Sequence, residues 1–145
     1  MADYEIEFYE EPGGRKPVYD WITKDLSPAD RRSLGVAMRE ILQKQGIDVC
    51  GSAFGRQLGE GLFEFRLTQN AEQVLRLVGK APKEESAEQR RPLLRVFCHA
   101  YGNKIILLLG GYDKGSDPSA KRQNEEIRMA RQRLAEFRRR QASST

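Results

Sequence analysis

The stretch LLRVFCHAYGNKIILLLGGY, residues 93–112, holds two apolar runs parted by Gly102-Asn103. Runs of this kind around a Gly-Asn pair predict an antiparallel hairpin, with strands at about Leu93–Tyr101 and Lys104–Tyr112. A two-residue loop at 102 and 103 pairs positions that sum to 205. Leu94, Val96, Cys98 and Ala100 then oppose Gly111, Leu109, Leu107 and Ile105 on a wholly apolar face, which is expected to meet helices. On the other face Arg95, Phe97, His99 and Tyr101 oppose Gly110, Leu108, Ile106 and Lys104, with Tyr112 near the end. The missing side chain at Gly110 leaves room beside the Arg95 guanidinium for a ligand group.

Working outward, Leu62-Phe63-Glu64-Phe65-Arg66-Leu67 alternates. Phe63, Phe65 and Leu67 fall on one face and Glu64 and Arg66 on the other, as in a half-buried strand. Residues 69–92 separate it from the hairpin. Within them Val74–Val78 reads as an extra strand or helical turn, and residues 79–91, with the polar run KEESAEQRR, as a flexible insert loop. Beyond the hairpin, Asp117-Pro118 predicts a capped helix start, and Ile127, Ala130, Leu134 and Phe137 its apolar stripe. The end RRRQASST, residues 138–145, reads as a disordered basic tail.

At the other end, Tyr4, Ile6 and Phe8 share one side of a short strand. Pro17 opens a helix carrying Val18, Trp21, Ile22 and Leu26, with Trp21 as its core anchor. Ser27-Pro28 caps a second helix with Leu34, Met38, Ile41 and Leu42 on one side, ending at Gly46. The fold class expected is α+β: a helical hairpin packed on a small, mainly antiparallel twisted sheet, with a basic C-terminal helix. One domain over residues 1–137 fits the length of 145 residues.

Hydrophobic residues make up 39% and charged residues 32% of the chain. The start MADYEIEFYE is acidic where a secretory signal is basic, and the longest apolar run, Ile105–Leu109, is far short of a membrane span. No membrane partner and a cytoplasmic location are expected. Cys50 and Cys98 stand apart, without metal-ligand spacing or a disulfide framework. The net charge of +4 is uneven: from Lys114 onward nine basic residues face four acids, and the rest of the chain is close to neutral. A local basic surplus suits the phosphates of a nucleic acid, and equally a solvated helix.

Leu58-Gly59-Glu60-Gly61-Leu62-Phe63-Glu64-Phe65-Arg66 resembles the L-x-x-G-L-[WYF]-E-[LF]-R segment of phage-derived HigB-type toxins in the RelE/ParE superfamily. Arg95-Val96-Phe97 resembles the arginine-bearing strand that follows it there. Residues Ile106–Lys114 resemble the family's next strand, and Asp117-Pro118 with Glu126-Ile127 and Ala130 resembles its last helix. The resemblance covers roughly residues 4–137. Two departures stand out: about two dozen residues intervene before the arginine strand, and the usual paired lysines are Asp113-Lys114.

The resemblance implies a RelE-like fold and a metal-independent mRNA endoribonuclease without cofactors. It further implies action on message at the ribosome and silencing by a helix-turn-helix antitoxin. RNA carries its own nucleophile, the 2′-hydroxyl, so such an enzyme need only orient it, take its proton, and stabilise charge on phosphorus and the leaving oxygen. Arg66 and Arg95 are the candidates for the scissile phosphate, and Lys114 for phosphate contact and charge stabilisation. Tyr112, Glu64 and His99 are candidates for proton transfer. Lys104, Lys121, Arg122, Arg128 and Arg131 are candidates for RNA contact. Each has a plainer reading: Glu64 can pair with Arg66 or Arg95, Tyr112 can be sheet packing, His99 an ordinary half-exposed residue, and the helix cations a solvated face. A protein of the same fold that binds without cutting, either a ParE-type gyrase-directed toxin or a nucleic-acid or protein-binding module, is the alternative.

Overall fold

The structure of the protein is a computed structural model that describes residues 3–80 and 90–143. Five strands form one mixed sheet: β1 (Glu5–Phe8), β2 (Gly55–Gly59), β3 (Leu62–Leu67), β4 (Leu94–Tyr101) and β5 (Ile105–Asp113). Their order is β1-β5-β4-β3-β2; β1 runs parallel to β5 and the remaining pairs are antiparallel. The α+β class is therefore as expected, with β2 an additional edge strand.

One face of the sheet buries Phe63, Phe65, Leu67, Leu94, Val96, Cys98, Ile106 and Leu108 against the N-terminal helices. These begin where proline and cap chemistry place them. Pro17 opens α1 (Pro17–Asp20), which runs into a π-helical turn at Trp21–Asp25. The Ser27 side chain accepts from the Asp30 N–H to cap α2 (Pro28–Ala37). A second π turn, Met38–Leu42, and the short α3 (Gln43–Gln45) lead to Gly46, whose φ of 56° ends the helix. Trp21 packs on Gly111: a Cβ there would come 2.4 Å from the indole. Of the two readings of Val74–Val78, the helical one holds, within α4 (Ala71–Leu77), capped by Asn70.

The register of the β4–β5 hairpin differs from the sum-of-205 expectation. The turn takes three residues, Gly102 to Lys104, with Lys104 at φ 58°, so Tyr101 pairs with Ile105. A β-bulge then makes Leu109 an extra residue between the Cys98–Leu108 and Phe97–Gly110 pairs. Arg95 consequently faces Tyr112, not Gly110. The longer turn puts Leu107 and Leu109 with Phe97 on the second face and Ile106 and Leu108 on the first, and the bulge, which places Leu109 and Gly110 on one side, keeps Tyr112 on the second face.

That second face is not open. α5 (Ala120–Ser143) buries Ala130, Leu134 and Phe137 on it, as the predicted stripe requires. The space above Gly110 is filled by Phe97, Ala130 and Arg133, each within 4 Å of where a Cβ would stand. Burial of side chains as large as Leu134 and Phe137 contributes about 1.5–3 kcal/mol each. α5 is capped by the Ser119 hydroxyl, which accepts from Arg122 N–H, rather than by Asp117. It continues to Ser143, so residues 138–143, expected as a disordered tail, are helical. No described helix is long and apolar enough to cross a membrane.

Most of the expected insert loop, residues 81–89, lies outside the described residues. Its flanks are tied to α2 and the π turn after it: Lys80 Nζ lies 2.9 Å from both oxygens of buried Glu40, and Arg90 Nη2 3.2 Å from buried Asp30. The Lys80 hydrogen bond holds the Glu40 carboxyl below its ordinary value, against the effect of burial.

Edge strand β2 is held by close backbone packing. A Cβ on Gly55 would sit 2.7 Å from the Val49 backbone of the 3-10 turn Gly46–Gly51. Gly55→Ala should therefore lose about 1–3 kcal/mol in urea unfolding; an unchanged midpoint would mean that β2 is free to move away.

Candidate functional site

The pleat of three neighbouring strands assembles the candidate site. Arg66 on β3 pairs with Arg95 on β4, and Arg95 with Tyr112 on β5, so two guanidinium groups and a phenol form one row. Like charges directly opposite each other repel. The adjoining row compensates: Glu64 stands opposite Phe97 on β4 and opposite Arg56 on β2.

One carboxylate oxygen therefore serves three cations. Glu64 Oε1 lies 3.4 Å from Arg66 Nε, 3.8 Å from Arg56 Nε and 3.9 Å from Arg95 Nε. Gln123 on α5 donates to Oε2 at 3.5 Å. Burial grades across the cluster. Glu64 has no exposed surface and the Arg95 side chain only 5%, whereas the Arg66 and Arg56 side chains keep 35% and 48%. Among the described residues Glu64 Oε1, Arg95 Nε and the Tyr112 hydroxyl make no hydrogen bond. The attraction is thus Coulombic, at distances beyond the roughly 2.7–2.9 Å of a charge-assisted hydrogen bond.

Burial marks the titration of this group. Desolvation lowers the Arg95 pKa from its ordinary value, and the charge of Glu64 pulls it back up. Burial raises the Tyr112 pKa, and the Glu64 charge adds to the rise. The Tyr112 ring stacks on Phe97 at 6.2 Å between centroids and carries the Arg122 guanidinium 5.3 Å from its own. Arg122 also donates to Glu126 at 2.9 Å. The first turns of α5 thus lie over Tyr112 and Glu64.

Of the expected catalytic residues, the structure brings together Glu64, Arg66, Arg95 and Tyr112. Lys114 follows two residues after Tyr112, its backbone N–H donating to Leu93 O. His99 stands apart, four residues along β4 from Arg95, or about 13 Å at the usual strand rise. Its Nδ1 is 2.7 Å from Gly61 O, so Nδ1 carries the proton and donates.

The expected RNA contacts divide. Lys121 and Arg128 are exposed on α5. Lys104 lies at the far turn, its ammonium 5.2 Å from the Tyr4 ring centroid. Arg131 is engaged instead as a clamp, donating to Leu58 O at 2.7 Å and Gly59 O at 3.2 Å, and Arg138 holds Glu60 O in the same manner. Together they tie the β2–β3 turn to α5.

Arg56 and Gln123 were not singled out in the sequence. GRQLG, residues 55–59, lacks the alternation of a strand, and the available signal was the Gly-Glu-Gly turn, which sets the basic residue at 56 opposite the acid at 64.

Removing one member of a buried charge cluster leaves the others without compensation, at a cost of about 3–5 kcal/mol. Glu64→Gln should lower stability in urea unfolding at pH 7 on that scale. Tyr112→Phe, which deletes a hydroxyl without a hydrogen-bond partner among the described residues, should change it by less than about 1 kcal/mol. Equal losses would contradict the charge assignment. Neither a scan against protein-family models nor a search of curated proteins returns a match to this chain.

Proposed function

We propose that this chain is an RNA-directed toxin of the RelE/ParE type, a metal-independent mRNA endoribonuclease acting on translated message and held silent by a helix-turn-helix antitoxin. One observation carries the reading: guanidinium groups from neighbouring strands converge on a single carboxylate, so the cluster holds more positive than negative charge. A net cationic cluster with planar donors suits a phosphodiester, whose charge rises as the 2′-hydroxyl attacks phosphorus.

In this reading Arg66, partly exposed, contacts the scissile phosphate and stabilises charge on its non-bridging oxygens. Lys114 adds charge from the end of β5. Arg95, nearly buried, acts from behind by fixing Glu64. Lys121 and Arg128 on the outer side of α5 attract the RNA backbone without reading sequence. The resemblance of the L-x-x-G-L-F-E-F-R segment and of the arginine strand supports the assignment of family and partner.

A second reading, binding without cleavage, is favoured by a specific observation. Glu64 and Tyr112 lie buried beneath α5, and His99 is tied to Gly61 O away from Arg66. None of the three expected bases, Glu64, Tyr112 and His99, stands open beside the exposed guanidinium.

Induction in bacteria followed by mapping of message 5′ ends separates the two. Cleavage predicts new 5′ ends within translated messages, reduced about 10²-fold or more in Arg66→Ala, on the scale of losing one transition-state donor. Growth arrest with DNA breaks and no new RNA ends would instead identify a gyrase-directed protein and remove the nuclease reading.

A further inference from the structure

The cation that the edge strand adds to the cluster changes where a phosphate would sit. Arg56 and Arg66 flank Glu64 on β2 and β3, and both lie against the same carboxylate oxygen. They are also the two members of the cluster that reach solvent, at 48% and 35% of their side chains, while Arg95 at 5% does not. We propose that Arg56 and Arg66 form a two-guanidinium seat for one phosphodiester of an RNA strand, entered from the β2–β3 edge, with Glu64 as the positioning residue behind them. This rests on the RNA-directed reading above and supplies the phosphate partner that burial denies to Arg95.

Three features support the seat. First, Glu64 cannot neutralise what surrounds it. Three guanidinium groups share one oxygen at 3.4–3.9 Å, and two of their charges remain uncompensated within the cluster. Second, the buried Arg95 Nε makes no hydrogen bond among the described residues and lies 3.9 Å from Glu64 Oε1, so the one carboxylate is shared between a buried cation and the two exposed ones. Third, the backbone that carries Arg56 is held in place in advance. Gly55 beside it abuts the Val49 backbone, and the turn that follows takes positive φ at Gly59, Glu60 and Gly61. Arg131 and Arg138 of α5 grip the carbonyls of that turn. A strand and turn fixed before binding need no backbone ordering when Arg56 meets a phosphate.

The chemistry of the seat selects the ligand. Two planar forks facing one carboxylate offer several N–H donors to the non-bridging oxygens of a phosphodiester, and the aromatic rings beside the cluster, Phe97 and Tyr112, are buried and cannot stack a base. The seat therefore recognises backbone rather than sequence.

The test uses the full chain and a fluorescent 2′-O-methyl RNA oligonucleotide, which lacks the nucleophile and is bound without being cut. Anisotropy titrations over a salt series compare wild type, Arg56→Ala, Arg56→Lys, Arg66→Ala and the double Arg56→Ala/Arg66→Ala variant, each checked for folding by thermal unfolding. The expected result is about tenfold or greater weakening in Arg56→Ala with a salt slope lower by about 0.7. Arg56→Lys should restore the slope but not the affinity, because a lysine replaces the charge and not the fork. The double variant should lose less than the product of the single losses, since both residues hold one phosphate. Wild-type binding with Arg56→Ala unchanged, or with fully multiplicative losses, would overturn the seat and leave the RNA-directed reading standing. Failure of the wild type to bind the oligonucleotide at any salt would overturn both.

Discussion

A carboxylate buried in the middle of a sheet has to be balanced by charge, and in this protein that need links the strands. Taking an ionised carboxyl out of water costs several kcal/mol unless partners replace the lost solvation. Glu64 meets the requirement with guanidinium groups from its own strand and from each neighbour, and with an amide from α5. The pairing of Arg66 with Arg95, a repulsive contact in isolation, becomes tolerable because Glu64 is adjacent to both. A slip of one residue between β3 and β4 would turn the carboxylate towards the apolar face, against Val96 and Cys98, and turn Phe63 and Phe65 away from it. Charge balance and hydrophobic burial thus favour the same register.

The second constraint is the bulge at Leu109. It sets Leu109 and Gly110 on one side and so turns Tyr112 onto the face carrying Leu107, Leu109 and Phe97, which completes the apolar patch on which α5 lies. Arg133 of α5 donates to the Leu109 carbonyl at 2.8 Å, satisfying the backbone group that the bulge disturbs. The helix then does two things for the cluster. Its first turns cover Tyr112 and Glu64, and its middle and end hold the β2–β3 turn that presents Arg56. Packing of a helix on a bulged hairpin thereby decides which cations stay in contact with solvent.

Much of this was legible in the sequence where the physics is local. The alternation of residues 62–67 placed Glu64 and Arg66 on one face, and the stripe Ile127, Ala130, Leu134 and Phe137 located the contact surface of α5. Ser27-Pro28 and Gly46 bounded the helical hairpin through cap and turn chemistry. What was not legible depends on distant contacts. The left-handed conformation of Lys104 and the extra residue at Leu109 displace the register by one and then two positions, and neither is dictated by residues 102 and 103 alone. The same displacement moved Arg95 from beside Gly110 to beside Tyr112. β2 was invisible because GRQLG has neither alternation nor β-branched residues, and Arg56 was hidden with it. The end of α5 was misjudged because Arg138 and Arg140 read as tail charge, whereas they bond to Glu60 and Glu10 carbonyls.

The central claim is that one carboxylate organises the guanidinium groups of residues 56, 66 and 95. The most direct measurement is a ¹⁵N–¹H correlation spectrum of the arginine Nε–Hε groups in wild type and in Glu64→Gln. The account predicts that the resonances of Arg56, Arg66 and Arg95 all move while that of Arg128, exposed on α5, stays in place. If those three resonances remain where they were after the substitution, the carboxylate does not hold the cluster and the account is wrong.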